Sequence, residues 1–211
     1  MKTLIAWVVL IAIAVPLGSY VFDEISAQGG RLIVERQEGS RTVVLDWTGE
    51  VRHPMAAKIR NAFDQHARGA ERFVLQLNSQ GGELNEGARV IRTLTDMQRT
   101  HLVDTVVQAG DRCASMCVPI YLQGDVRAAS HYSQFMFHEV RLADPIDGKP
   151  QPIDPREQSV ITDGFVARFL DRRGVSKQWL ARTREKMRGR DYWTTGERLM
   201  AEKSGIVTDL I

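Results

Sequence analysis

Short apolar and β-branched runs alternate with stretches of helical spacing through most of this chain, and that alternation confines it to an α/β domain. Residues 31–36 and 42–47 read as strands joined at Glu38-Gly39-Ser40. From 54 to 68 the apolar positions Met55, Ile59, Ala62, Phe63 and Ala67 recur at helical spacing, with Pro54 suited to a first turn. Residues 73–77 read as a buried strand. A helix is expected at about 83–98, with Ala88, Ile91, Leu94 and Thr95 on one face, and a strand at 102–107. Further on, 134–138 reads as a strand ending in His138, and 141–153 as a Pro- and Gly-rich loop. Asp154, Pro155 and Glu157 open a helix that runs to about 173 and stops at Gly174. Ser176 caps another that ends near Met187. Thr194 to Glu197 reads as a capping box for a helix through Lys203, Gly205 suits its C-terminal cap, and 206–210 is a last strand.

The first 22 residues form a separate unit. Nothing charged lies between Lys2 and Asp23, and the apolar run between them can cross about 30 Å of hydrocarbon as a helix. It is long for a signal peptide and lacks a good small-x-small cleavage site, which favours an uncleaved anchor over a signal peptide. Lys2 on one side and Asp23-Glu24 on the other predict an exported body, periplasmic or otherwise extracytoplasmic. The predicted organisation is an anchor or signal at 1–22, a linker at 23–30 and one domain at 31–211. Roughly 180 residues suffice for a full core. The net charge of +2, without a basic block interleaved with aromatics, argues against nucleic acid as a partner.

The segment from Asp111 to Gly124 carries the chemistry. An apolar run ends at Ala109-Gly110, a turn follows, and Ser115 stands among small residues before a second apolar segment long enough for two helical turns. A strand, turn and helix in that order present a side chain at a helix N-terminus, where free N–H groups and the dipole favour an oxyanion. The same pattern also describes a serine that merely joins a strand to a helix. Cys113 and Cys117 bracket Ser115 and are the two cysteines of the chain. In an exported domain they could form a disulfide or remain small core thiols, and the spacing leaves both readings open. Without helpful histidine spacing they make no zinc site, and neither metal nor cofactor is expected.

A nucleophilic serine needs a base and a group that orients the base. His138 follows Ser115 by 23 residues and Asp191 follows His138 by 53; His131 is the nearest rival base. Asn78-Ser-Gln-Gly-Gly82 directly follows a strand, and its two glycines allow close backbone approach.

Together, Asn78-Ser-Gln-Gly-Gly82, Cys113-Ala-Ser-Met116, Phe137-His138 and Asp191-Tyr-Trp-Thr194 resemble, in order and near spacing, the proteolytic subunit of Clp protease. The resemblance spans about residues 42–211 and is nearest to the small exported branch of that superfamily. It implies a Clp/crotonase fold of stacked ββα units, with a helix protruding between His138 and Asp191 that builds oligomers in the family. It implies Ser115 as nucleophile, His138 as general base and Asp191 as the residue orienting the histidine. The amides of Gly82 and Met116 would form the oxyanion hole, and Gly81 would lie in the substrate loop. Gln80 takes the place of the family's proline, which would loosen that loop.

The function this implies is a serine endopeptidase acting on peptides or unfolded protein outside the cytoplasmic membrane, held by its N-terminal segment and capable of forming a homo-oligomer. No P-loop supplies ATP use. Two other readings stand beside it. A Ser–Lys membrane peptidase needs a lysine base, and no lysine lies between Lys58 and Lys149. A catalytically silent scaffold that binds peptides or partners would not need the Ser, His and Asp together.

Overall fold

The computed structural model describes residues 29–36, 39–142, 151–172 and 174–211. The expected membrane segment, and all of the expected linker but its last two residues, lie outside them, as does most of the loop expected at 141–153. In chain order the elements are β1 (Gly30–Glu35), β2 (Thr42–Gly49), α1 (Met55–His66), β3 (Arg72–Asn78), α2 (Leu84–Met97), β4 (Leu102–Val107) and β5 (Arg112–Ala114). They continue with α3 (Cys117–Tyr121), β6 (Arg127–Ala129), β7 (Gln134–Phe137), α4 (Pro155–Phe165), α5 (Lys177–Lys186), β8 (Tyr192–Thr195), α6 (Gly196–Ala201) and β9 (Asp209–Leu210). A π-helical turn, Val166–Leu170, continues α4.

Six strands form one sheet in the order β1-β2-β3-β4-β6-β9. It is parallel except for β1, which pairs antiparallel with β2 at the edge. Alternation in β2 and β3 sends Val43, Leu45, Trp47, Phe73, Leu75 and Leu77 into the core without exposure. Burying each such side chain contributes about 1.5–3 kcal/mol relative to leaving it in water. Helices α1 and α2 pack on each other beside this sheet.

A second sheet, β5-β7-β8, positions the chemistry. β4 runs in the large sheet and its successor β5 leaves for the small one; β6 and β7 repeat the pattern. β5 pairs parallel with β7, which brings Ala114 opposite Met136, so the residues just beyond these strands converge. β5, β6 and β8 are too short to register as periodic runs in the sequence.

Several expectations need correction. The buried face of α2 comprises Glu86, Gly87, Val90, Ile91, Thr93, Leu94 and Met97, while Thr95 is exposed with its hydroxyl on the Ile91 carbonyl. Pro54 is the N-cap of α1 and not its first helical residue. Asp154 and Ser176 do cap α4 and α5 as read. The capping box is displaced by one: Thr194 lies in β8, Thr195 caps α6 by accepting from the Arg198 amide, and α6 ends at Ala201. Pairing with β7 claims Thr194 for the strand. The last strand is only Asp209–Leu210.

Cys113 and Cys117 are joined in a disulfide, with 5.2 Å between their Cα atoms, and both are fully buried. So small a loop gives only about 2 kcal/mol on the chain-entropy account, so its larger effect is to tie the end of β5 to the first turn of α3 across Ser115.

Candidate active site

Ser115 sits in the turn between β5 and α3 with φ 53°, a left-handed backbone that a serine rarely adopts. Three contacts hold it there. Its amide donates to the Met136 carbonyl at 2.9 Å, its carbonyl accepts from Val118 at 3.0 Å, and the disulfide spans it. Strain of this kind persists only where the surroundings enforce it.

The Met136 contact ties the serine to β7, and two residues later that strand delivers His138. His138 Nε2 lies 2.7 Å from Ser115 Oγ. Nδ1 contacts the main-chain carbonyl of Glu139. A carbonyl can only accept, so Nδ1 carries a proton and the neutral ring offers a bare Nε2 to the serine hydroxyl. Burial lowers the pKa of His138. The Glu139 contact raises it, Arg141 lowers it and Asp191 raises it, and the net direction is down.

Asp191 stands differently from its expected role. Its carboxylate pairs with Arg141, while the ring nitrogen it was expected to hold goes to the Glu139 carbonyl. Asp191 acts on His138 through space, as a nearby negative charge. His131 lies half exposed against Glu197, outside the residues that line the cleft.

The glycine loop after β3 packs against this turn. Ser79 bridges to β5: its amide donates to Arg112 and its carbonyl accepts from Ala114. Val51 grips the other side, donating to the Gly81 carbonyl at 2.8 Å and accepting from Glu83 at 2.7 Å. Gln80 donates to Glu50. Gly81 has φ 92°, and a Cβ there would stand 2.7 Å from Ser115 Cβ and 2.6 Å from the Ala114 carbonyl. No hydrogen bond involves the amides of Gly82 and Met116 among the described residues. The Met116 side chain rests on Gly87 of α2, where even a methyl group would collide with it.

A cleft of about 500 Å³ opens beside Ser115 and His138. Met116, Met136, Phe137, Phe165, Leu170 and Met187 give it an apolar lining. Glu50, Arg52, Glu83 and Arg141 add charge, and among the described residues no lysine lines it. Lys58 instead donates to the Gly30 carbonyl and lies over Trp47. Arg141 and Glu139 were missed in the sequence, because three residues of chain after a strand end give no period to read.

No family model and no curated protein matches the sequence. Solved structures do match. A ClpP1 variant from Listeria monocytogenes superimposes with a TM-score of 0.54 at 19% identity, covering 81% of this chain and 91% of its own. The chain has a ClpP-like fold. At that identity the likeness is one of architecture.

Proposed function

We propose that this protein is a serine peptidase, and the observation that carries the reading is the 2.7 Å contact between His138 Nε2 and a Ser115 held in a left-handed turn beside a cleft. Ser115 Oγ attacks the scissile carbonyl carbon while Nε2 takes its proton. The amides of Gly82 and Met116 receive the oxyanion. The imidazolium returns the proton to the leaving amine, and water then releases the acyl group with His138 again as base. Asp191, paired with Arg141, contributes negative charge that favours the imidazolium. The apolar lining fits an extended peptide or unfolded segment with a bulky apolar side chain at the cut. The deciding experiment is labelling with a fluorophosphonate, which should modify Ser115 in the wild type; an unlabelled, folded wild type would favour the silent-scaffold reading.

Catalysis needs the neutral imidazole, so activity rises as His138 loses its proton. Its lowered pKa puts the midpoint of the acid limb of kcat/KM below the reference of about 6.5. Arg141→Gln should move that midpoint up and Asp191→Asn should move it down, because the first removes a positive neighbour and the second a negative one. A midpoint indifferent to both would show that these charges do not act on the base.

The body is proposed to be exported behind an N-terminal anchor, because Lys2 and Asp23 flank the apolar run asymmetrically. With Cys113 and Cys117 joined, a Tyr132→Cys variant offers one exposed thiol. It should react with an impermeant reagent once the outer barrier is opened; protection until the inner membrane is lysed would refute the topology. Helix α4 buries only Thr162 among its residues and leaves Val160 71% exposed, which fits a contact with a second copy of the chain. Light scattering on the wild type should give a multiple of the 23.8 kDa chain mass, and Val160→Glu should lower it.

A further inference from the structure

We infer that Thr162 is a positioning residue for His138: its hydroxyl fixes the planar peptide between Glu139 and Val140, and the carbonyl of that peptide holds the imidazole in the tautomer that leaves Nε2 free for Ser115. The use of this device rests on the serine-peptidase reading; the geometry does not. His138 Nδ1 contacts the Glu139 carbonyl. The N–H on the opposite side of that same peptide, belonging to Val140, donates to Thr162 Oγ1 at 3.0 Å. A peptide unit is planar, so anchoring its N–H sets the direction of its C=O. Thr162 has no exposure, so water cannot take its place.

Further bonds hold the two residues that share this peptide, through the Glu139 carboxylate and the Val140 carbonyl. Glu139 Oε1 accepts from Arg184 at 2.9 Å and Oε2 accepts from the Gly189 amide at 2.8 Å. Arg184, itself only 12% exposed, also donates to Asp163 and to Ser159 on α4. Gln158 donates to the Val140 carbonyl. The inner face of α4 and the side of α5 therefore clamp the two residues after the histidine. Asp191, which would otherwise be expected to hold Nδ1, is occupied by Arg141. Thr162 is the buried residue of α4, and its hydroxyl is bonded to the Val140 amide.

The test is the ring nitrogen spectrum of the full chain labelled with ¹⁵N-histidine, taken about two units above the reference histidine pKa of about 6.5 so that the ring is neutral. His138 is assigned by its loss in His138→Ala. In the wild type the proton should sit on Nδ1. Thr162→Val keeps the shape and removes the hydroxyl; it should give mixed tautomers and about tenfold slower fluorophosphonate labelling, the worth of one ordinary hydrogen bond. Thr162→Ser should restore both, which a merely structural threonine would not require. Asp191→Asn should leave the proton on Nδ1. If Thr162→Val does not fold, Glu139→Gln, which loosens the clamp from the other side, should mix the tautomers in its place. The inference is overturned if the folded variant keeps the Nδ1 proton, or if Asp191→Asn removes it. A wild type that takes no label while its tautomer follows Thr162 would sink the peptidase reading and leave the anchor standing; labelling with a tautomer indifferent to Thr162 would do the reverse.

Discussion

Replacing His138 with alanine is expected to abolish fluorophosphonate labelling as fully as replacing Ser115, on the order of a thousandfold or more for each. The serine hydroxyl is a weak nucleophile at its own pKa and depends on the nitrogen 2.7 Å away. Residues that act as a unit are not additive, so residual peptide hydrolysis by the double variant should be no slower than by either single one. His131→Ala is the control. That side chain is half exposed and paired with Glu197, and its loss should change labelling by less than about tenfold. Loss of labelling in His131→Ala with retention in His138→Ala would move the base elsewhere and dissolve the proposed site. The Ser–Lys alternative makes the opposite forecast for His138, and Lys58 is occupied with Gly30 and Trp47.

The parts of this architecture that were legible in the sequence are those with long periods. β2, β3 and β4 are apolar enough, and α1 and α2 amphipathic enough, that their order declares an α/β domain. The caps at Asp154 and Ser176 were also readable, because capping is a bond between near neighbours in the chain. The small sheet was not: three residues of β5 and four of β8 become strands only by pairing with β7. At the site, the resemblance named Ser115 and His138, and β5–β7 pairing explains why residues 23 apart meet. It did not foretell the contacts around them. Whether Asp191 bonds the imidazole or Arg141 depends on a loop contact 50 residues apart, and nothing local in either stretch records it.

The loop beside the serine supplies the second large effect. Gly81→Ala should slow labelling of Ser115 by on the order of a hundredfold or more, the scale set by loss of an oxyanion donor. Two costs combine there. At φ 92° any side chain is strained, by about 1–3 kcal/mol. The new methyl would also stand 2.6 Å from the Ala114 carbonyl, 2.7 Å from Ser115 Cβ and 3.0 Å from the Met116 amide, all parts of the nucleophile turn and not the ends of flexible side chains. The loop cannot retreat cheaply, because Val51 holds it through the Gly81 carbonyl and the Glu83 amide while Ser79 binds it to β5. Relief must come from parting the Gly82 side of the site from the Met116 side, the two donors proposed to share one oxygen. Gly110→Ala separates these costs: its φ is 83°, but no atom lies within 4 Å of the added methyl. That variant should lose only the backbone strain, about 1–3 kcal/mol of stability, and still label within about tenfold of the wild type, since no collision accompanies it. Equal labelling of Gly81→Ala and Gly110→Ala, at matched fractions folded, would mean that the close approach of this loop to Ser115 has no part in the chemistry.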